Sequence, residues 1–95
     1  MRAERKVYRI EVTPRARKDL EALPTRERRR VAEQIDTLMT DPRPTGCKKL
    51  KGREDFYRIR VGNYRVVYQI EDEILLILIV RVGDRNEIHD IIRRL

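Results

Sequence analysis

The apolar and polar positions of this 95-residue chain change period several times, and each change marks an element. Over residues 6–12, Val7, Arg9 and Glu11 alternate with Tyr8, Ile10 and Val12, the period of two expected of a half-buried strand. The period then lengthens. Ala16, Leu20 and Leu23 recur at i, i+4 and i+7, one stripe of a short amphipathic helix. Thr13 is placed to cap it, Pro14 fits its first position, where a missing N–H costs nothing, and Pro24 stops it. Val31, Ile35, Leu38 and Met39 predict a second helix with Thr25 as its cap. The turn between the two is short enough to make them an antiparallel hairpin.

Two prolines and a glycine over residues 41–46 break the periodicity and predict the longest loop of the chain. Period two then returns. Tyr57, Ile59 and Val61 alternate with Phe56, Arg58 and Arg60, and beyond Gly62 and Asn63 the alternation resumes with Tyr64, Val66, Tyr68 and Ile70 against Arg65, Val67 and Gln69. This is the pattern of a β-hairpin with a two-residue loop, which sets Val61 across from Tyr64 and Arg60 across from Arg65, with Arg58 on the same face. After an acidic turn at residues 71–73, the continuous apolar run 74–80 reads as an interior strand buried on both faces. Asp84 and Glu87 have capping-box spacing and predict a last helix from near Arg85, with Ile88, Ile91, Ile92 and Leu95 as its apolar stripe.

These elements define an α+β fold in a single domain, residues 1–95: an N-terminal strand, an antiparallel helical hairpin, a mainly antiparallel β-meander and a short C-terminal helix. The helical hairpin covers one face of the sheet and the C-terminal segment covers part of the other.

Charge changes this picture. Twenty-three Lys and Arg against sixteen Asp and Glu leave +7, which favours a polyanionic partner. Many of the cations, Arg15, Arg17, Lys18, Arg26, Arg28, Arg29 and Arg30, fall on the polar faces of the helical hairpin, either as a solvated face or as a surface for nucleic-acid backbone. The single cysteine, Cys47, excludes an internal disulfide and a cysteine metal cluster, reads as an inert thiol, and fits a reducing cytoplasm. The longest apolar run is too short to span a membrane, and a soluble cytoplasmic protein without metal or cofactor is expected.

The candidate chemistry lies in the hairpin. Arg60 facing Arg65, with Arg58 beside them, places like charges directly opposite one another, an arrangement that costs stability unless an anion binds between them. Nucleic-acid phosphate is the obvious anion, against the alternative of long side chains splayed into water. Lys48, Lys49, Lys51 and Arg53 precede the hairpin and extend the same positive surface if they point the same way. Tyr57, Tyr64 and Tyr68 alternate with the arginines and so belong to the core rather than to a base-stacking platform.

The order strand, helical hairpin, KKLKG, YRIR, GNYRVVYQ, apolar strand, VGDRNEIH resembles the RelE/ParE superfamily of toxins from type II toxin–antitoxin pairs, and within it the RelE branch. The resemblance covers nearly the whole chain. It implies a ribosome-dependent mRNA endonuclease that cuts in the A site by attack of a ribose 2′-OH on the adjacent phosphate, with a cognate antitoxin, the ribosome, its 16S rRNA and mRNA as partners. Carried over by motif, Arg58 and Arg60 come from YRIR, Arg65 from GNYR, Arg85 from VGDR, and His89 ends EIH. The RelE pattern has lysines in the first pair and often a tyrosine last. Arginine does not give up its proton, so Arg58 and Arg60 are assigned to binding phosphate and stabilising the transition state, with Arg65 and Arg85 sharing that work. Imidazole is the side-chain type suited to proton exchange near neutrality, which assigns proton transfer to His89. The alternatives are a half-buried structural imidazole at His89, a helix-terminal ion pair at Arg85, a ParE-like inhibitor of DNA gyrase, and a degenerate member that only binds antitoxin.

Overall fold

The computed structural model describes residues 6–95. Its elements are β1 (Arg9–Val12), α1 (Pro14–Glu21), α2 (Thr25–Thr37), β2 (Lys48–Lys49), β3 (Phe56–Val61), β4 (Tyr64–Glu71), β5 (Leu76–Asp84) and α3 (Glu87–Arg93). The five strands form one sheet in the order β1-β5-β4-β3-β2. β1 runs parallel to β5, and every other pair is antiparallel.

Local chemistry sets most boundaries. The Thr13 side chain accepts the Ala16 N–H and Pro14 opens α1, the capping expected of the Thr-Pro pair. α2 differs. Pro24, in an extended conformation, is its cap residue and accepts the Arg28 N–H through its carbonyl at 2.9 Å, so Thr25 is the first helical residue rather than the cap. β1 starts at Arg9, later than the alternation suggested, because the Tyr8 N–H donates to the Met39 carbonyl instead of to β5. Met39 lies beyond the end of α2 and is 36% exposed, outside the core it was expected to join.

The apolar run is shifted too. Ile74 belongs to a 3₁₀ turn, Asp72–Ile74, and is 61% exposed; Leu75 takes φ 50, and the strand begins only at Leu76 and continues to Asp84. One face of β5 is fully covered and the other only in part. Ile77 and Ile79 are buried among Ala16, Val31, Ile35 and Leu38 of the helical hairpin, whereas Leu76 and Leu78 on the opposite face remain half-exposed. There α3 covers a limited area: Ile88 is buried with Val67 and Leu50, flanked by Phe56, Val80, Ile91, Ile92 and Leu95. The capping box exists as predicted. Asp84 Oδ1 accepts the Glu87 N–H at 2.7 Å and Glu87 Oε1 accepts the Asp84 N–H at 3.3 Å, but the helix itself starts at Glu87, two residues past Arg85. Among the described residues no helix is long and apolar enough to cross a membrane.

Candidate functional site

The hairpin has the register that its pattern predicted: Val61 pairs with Tyr64, Arg60 with Arg65, and Arg58 with Val67. Gly62, the first loop residue, takes φ 60, which glycine adopts without the strain a Cβ would bring. Paired residues share a face, so Arg58, Arg60 and Arg65 lie together on the side away from α1 and α2, at the hairpin end of the sheet. Two further pairings extend the group. Lys48 stands across from Arg58, and Gly83 of β5 across from Arg65. Beyond β5 the Arg85 N–H donates to the Asn63 carbonyl at 2.9 Å, which ties Arg85 to the hairpin loop.

The electrostatics follow from this placement. Burial, followed by the charges of Arg60, Arg58 and Arg85, pulls the Arg65 guanidinium below arginine's ordinary value. It remains charged near neutrality; burial contributes the largest part of the shift, and the rest comes from like charges that no carboxylate offsets. Arg65 Nη1 folds back on the Tyr64 and Gly62 carbonyls at 3.2 and 3.4 Å. Among the described residues none of Arg58, Arg60, Arg65 and Arg85 pairs with a carboxylate, whereas Arg9, Arg43, Arg81 and Arg93 all do. A groove of about 490 Å³ opens at the edge of β3, lined by Lys48, Arg58, Ile59, Arg60 and Arg65 and, from α2 and the loop after it, by Gln34, Thr37 and residues 44–46.

The loop wall is fixed from behind. Arg43 forms a bidentate pair with Asp72, 2.8 Å at the shorter bond, donates to the Tyr57 hydroxyl at 3.1 Å and lies over the Tyr57 ring at 5.0 Å. The Tyr8 hydroxyl donates to the same carboxylate at 2.6 Å. The Arg43 bond, and then the Tyr8 bond, hold Asp72 below the usual carboxylate range. Tyr57 stacks on Tyr68, whose hydroxyl donates to the Pro42 carbonyl at 2.7 Å. Tyr57, Tyr64 and Tyr68 thus pack on the helix side, as their alternation with the arginines required.

Other candidates separate. Lys49 stands across from Tyr57 and therefore on the opposite face from Arg58, so of the basic segment only Lys48 joins the groove. Lys51 and Arg53 lie with Lys49 around a different, shallow depression of about 590 Å³. Arg85, where the last helix was expected to begin, precedes α3 and so lies outside the helix that carries His89. His89 is exposed, not half-buried, and follows Ile88, which packs against Val67, the cross-strand partner of Arg58. One cation that was assigned only to the polar face of the helical hairpin comes to the site. A Cβ on Gly62 would come within 2.9 Å of Arg30 Nη1, so Arg30 of α2 lies over the hairpin loop. Its signal was available: Arg30, Gln34 and Thr37 recur at i, i+4 and i+7, a polar stripe beside the apolar one.

A five-stranded sheet backed by a helical hairpin, with arginines converging at one end and, among the described residues, no carboxylate paired with them, defines a small basic α+β domain. Residues 10–89 match the family described as the ParE toxin of type II toxin–antitoxin systems, parDE. The mRNA interferase toxin RelE of Escherichia coli is 30% identical over 81 residues, which are 83% of this chain and 84% of that protein. Toxin RelG of Mycobacterium tuberculosis is 32% identical over 83 residues, covering 86% and 95%. The archaeal RelE–RelB complex from Pyrococcus horikoshii contains a chain superposing with a TM-score of 0.75 at 33% identity, covering 83% of this chain and 96% of that one. The chain belongs to the RelE/ParE superfamily of toxins from type II toxin–antitoxin systems and is RelE-like.

Proposed function

We propose that the protein is a ribosome-dependent endoribonuclease that cuts mRNA in the A site, and that Arg58, Arg60, Arg65 and Arg85 form its phosphate site. The convergence of four unpaired guanidinium groups carries this reading. In the reaction the ribose 2′-oxygen bonds to the adjacent phosphorus, its proton leaves to a base, and the bond to the 5′-oxygen breaks as that oxygen gains a proton. Charge builds on the non-bridging oxygens, and fixed cations stabilise it there more than in the ground state. Arginine donors do this without exchanging protons, so proton transfer falls to His89, exposed at the start of α3.

Dependence on the ribosome has a physical basis. The tyrosines face the core and, among the described residues, none lines the groove as a platform for an unstacked base, which fits a message positioned by the ribosome. Arg15, Arg17, Arg26, Arg28 and Arg29 on the helical hairpin suit the 16S rRNA backbone. Lys48 extends the phosphate track, and Lys51 and Arg53 add longer-range attraction. A cognate antitoxin neutralises the toxin, as the complex of the Pyrococcus horikoshii relative with RelB suggests. Purified protein on translating ribosomes, followed by primer extension, tests the reading. Codon-positioned cuts support it; gyrase inhibition without cuts, or neither activity, refutes it.

A further inference from the structure

β5 carries one residue more than β4 between two of its rungs. Tyr68 pairs with Ile79 but Val67 pairs with Arg81, so Val80 is the extra residue of a β-bulge. Ile77 and Ile79 face the helical hairpin before the bulge, and Val82 faces it afterwards, three positions on instead of two. Without the extra residue Val66, fully buried, would stand across from Arg81, and Arg65 across from Val82. A guanidinium would enter the core, Gly83 would leave its place opposite Arg65, and Arg85 would be carried to the other face. The bulge therefore decides which face the end of β5 offers to the cationic groove.

α1 supplies what holds it. β1 ends at Val12, across from Ile79, so among the described residues the outer edge of β5 has no strand partner from Val80 onward. The Thr13 N–H donates to the Ile79 carbonyl and the Thr13 hydroxyl to the Val80 carbonyl, each at 3.0 Å. Asp19 Oδ2 accepts both the Val82 N–H at 2.9 Å and Arg81 Nε at 2.8 Å. Asp19 and Arg81 are 14% and 19% exposed, the most buried ion pair among the described residues. We infer that Asp19 is a positioning residue for the phosphate site: it clamps the β5 bulge and so sets Gly83 opposite Arg65 and Arg85 beside the hairpin loop. The inference rests on reading the arginine cluster as that site. A pair that merely added stability needs only the Arg81 guanidinium; Asp19 also holds the backbone of Val82, where the facing of the strand is reset.

Two variants separate the roles. Asp19→Asn keeps an oxygen for the Val82 N–H, and Asp19→Ala removes it; Asp19→Ser replaces the alanine variant should that one not fold. NMR of the free toxin reads the register without reference to activity. In Asp19→Ala the Tyr68–Ile79 cross-strand NOEs persist and the Arg65–Gly83 NOEs disappear, while Asp19→Asn keeps both sets. On saturating ribosomes Asp19→Ala cuts at least about tenfold more slowly, with the half-saturating ribosome concentration within about twofold of wild type, and Asp19→Asn stays within about threefold in rate. Arg65–Gly83 NOEs retained in the alanine variant overturn the clamp, and so does an asparagine variant as impaired as the alanine one. A wild-type protein that cuts nothing refutes the phosphate-site reading instead, and the NMR result still decides the clamp.

Discussion

Replacing Arg65 by alanine separates function from fold most sharply. The fold loses two long bonds from Nη1 to the Tyr64 and Gly62 carbonyls, 3.2 and 3.4 Å, worth about 0.5 kcal/mol each at that length. It also loses repulsion from Arg60 directly opposite and from Arg58 and Arg85 nearby, a relief of about 0.2–1 kcal/mol per close pair. These effects nearly cancel. Stability should change by less than about 1 kcal/mol, which for a domain of this size keeps Tm within about 4–8 °C of wild type. Catalysis has no such compensation, because a donor aimed at developing negative charge is worth about 10²–10³ in rate, or about 3–4 kcal/mol of barrier. Single-turnover cleavage on programmed ribosomes, with calorimetry on the same preparation, measures both. Cutting within about threefold of wild type would refute the assignment of Arg65, and a Tm lowered well beyond that range would show that the guanidinium braces the loop instead.

Other perturbations follow from the same geometry. His89→Gln should slow cutting at saturating ribosomes more than it weakens ribosome binding, measured as rate against half-saturating concentration; an equal loss in both makes His89 a packing residue. Gly62→Ala forces a side chain into φ 60 and against Arg30, and should cost about 1–2 kcal/mol in chemical denaturation; an unchanged midpoint would show that the loop relaxes freely. Asp72 is held below its ordinary value by Arg43 and Tyr8, so its contribution is full above the unfolded carboxylate value and is lost as pH falls through the lower folded one. Wild type should therefore exceed Asp72→Asn in stability at pH 6 and lose that lead below about pH 4, by no more than about 1 kcal/mol for a pair this exposed. Parallel thermal melts at the two pH values would expose a lead that fails to shrink.

The arginine pair one rung from the hairpin loop was legible from residue types alone. Alternation with period two and a two-residue loop leave one register, and one-residue slippage would turn every apolar side chain to the wrong face. The Thr13-Pro14 helix start and the Asp84–Glu87 box were legible for a related reason: donor and acceptor lie within three residues, so chain geometry brings them together whatever surrounds them. Lys48 and Lys49, adjacent in sequence, went to opposite faces because of a two-residue strand too short to announce itself by pattern. The stripe of Arg30, Gln34 and Thr37 showed a polar face but not what it would meet.

Local periodicity, turn chemistry and capping spacing by themselves determined the elements other than β2, the α+β class and the facing of Arg58, Arg60 and Arg65. The tertiary structure alone decided that β1 lies parallel to β5, that β5 bulges at Val80, and that Asp19 and Arg81, 62 positions apart, meet at its edge. An intra-element period depends on a few neighbouring torsions, whereas a bulge and its clamp depend on which distant side chains a packed core brings to one unpaired edge.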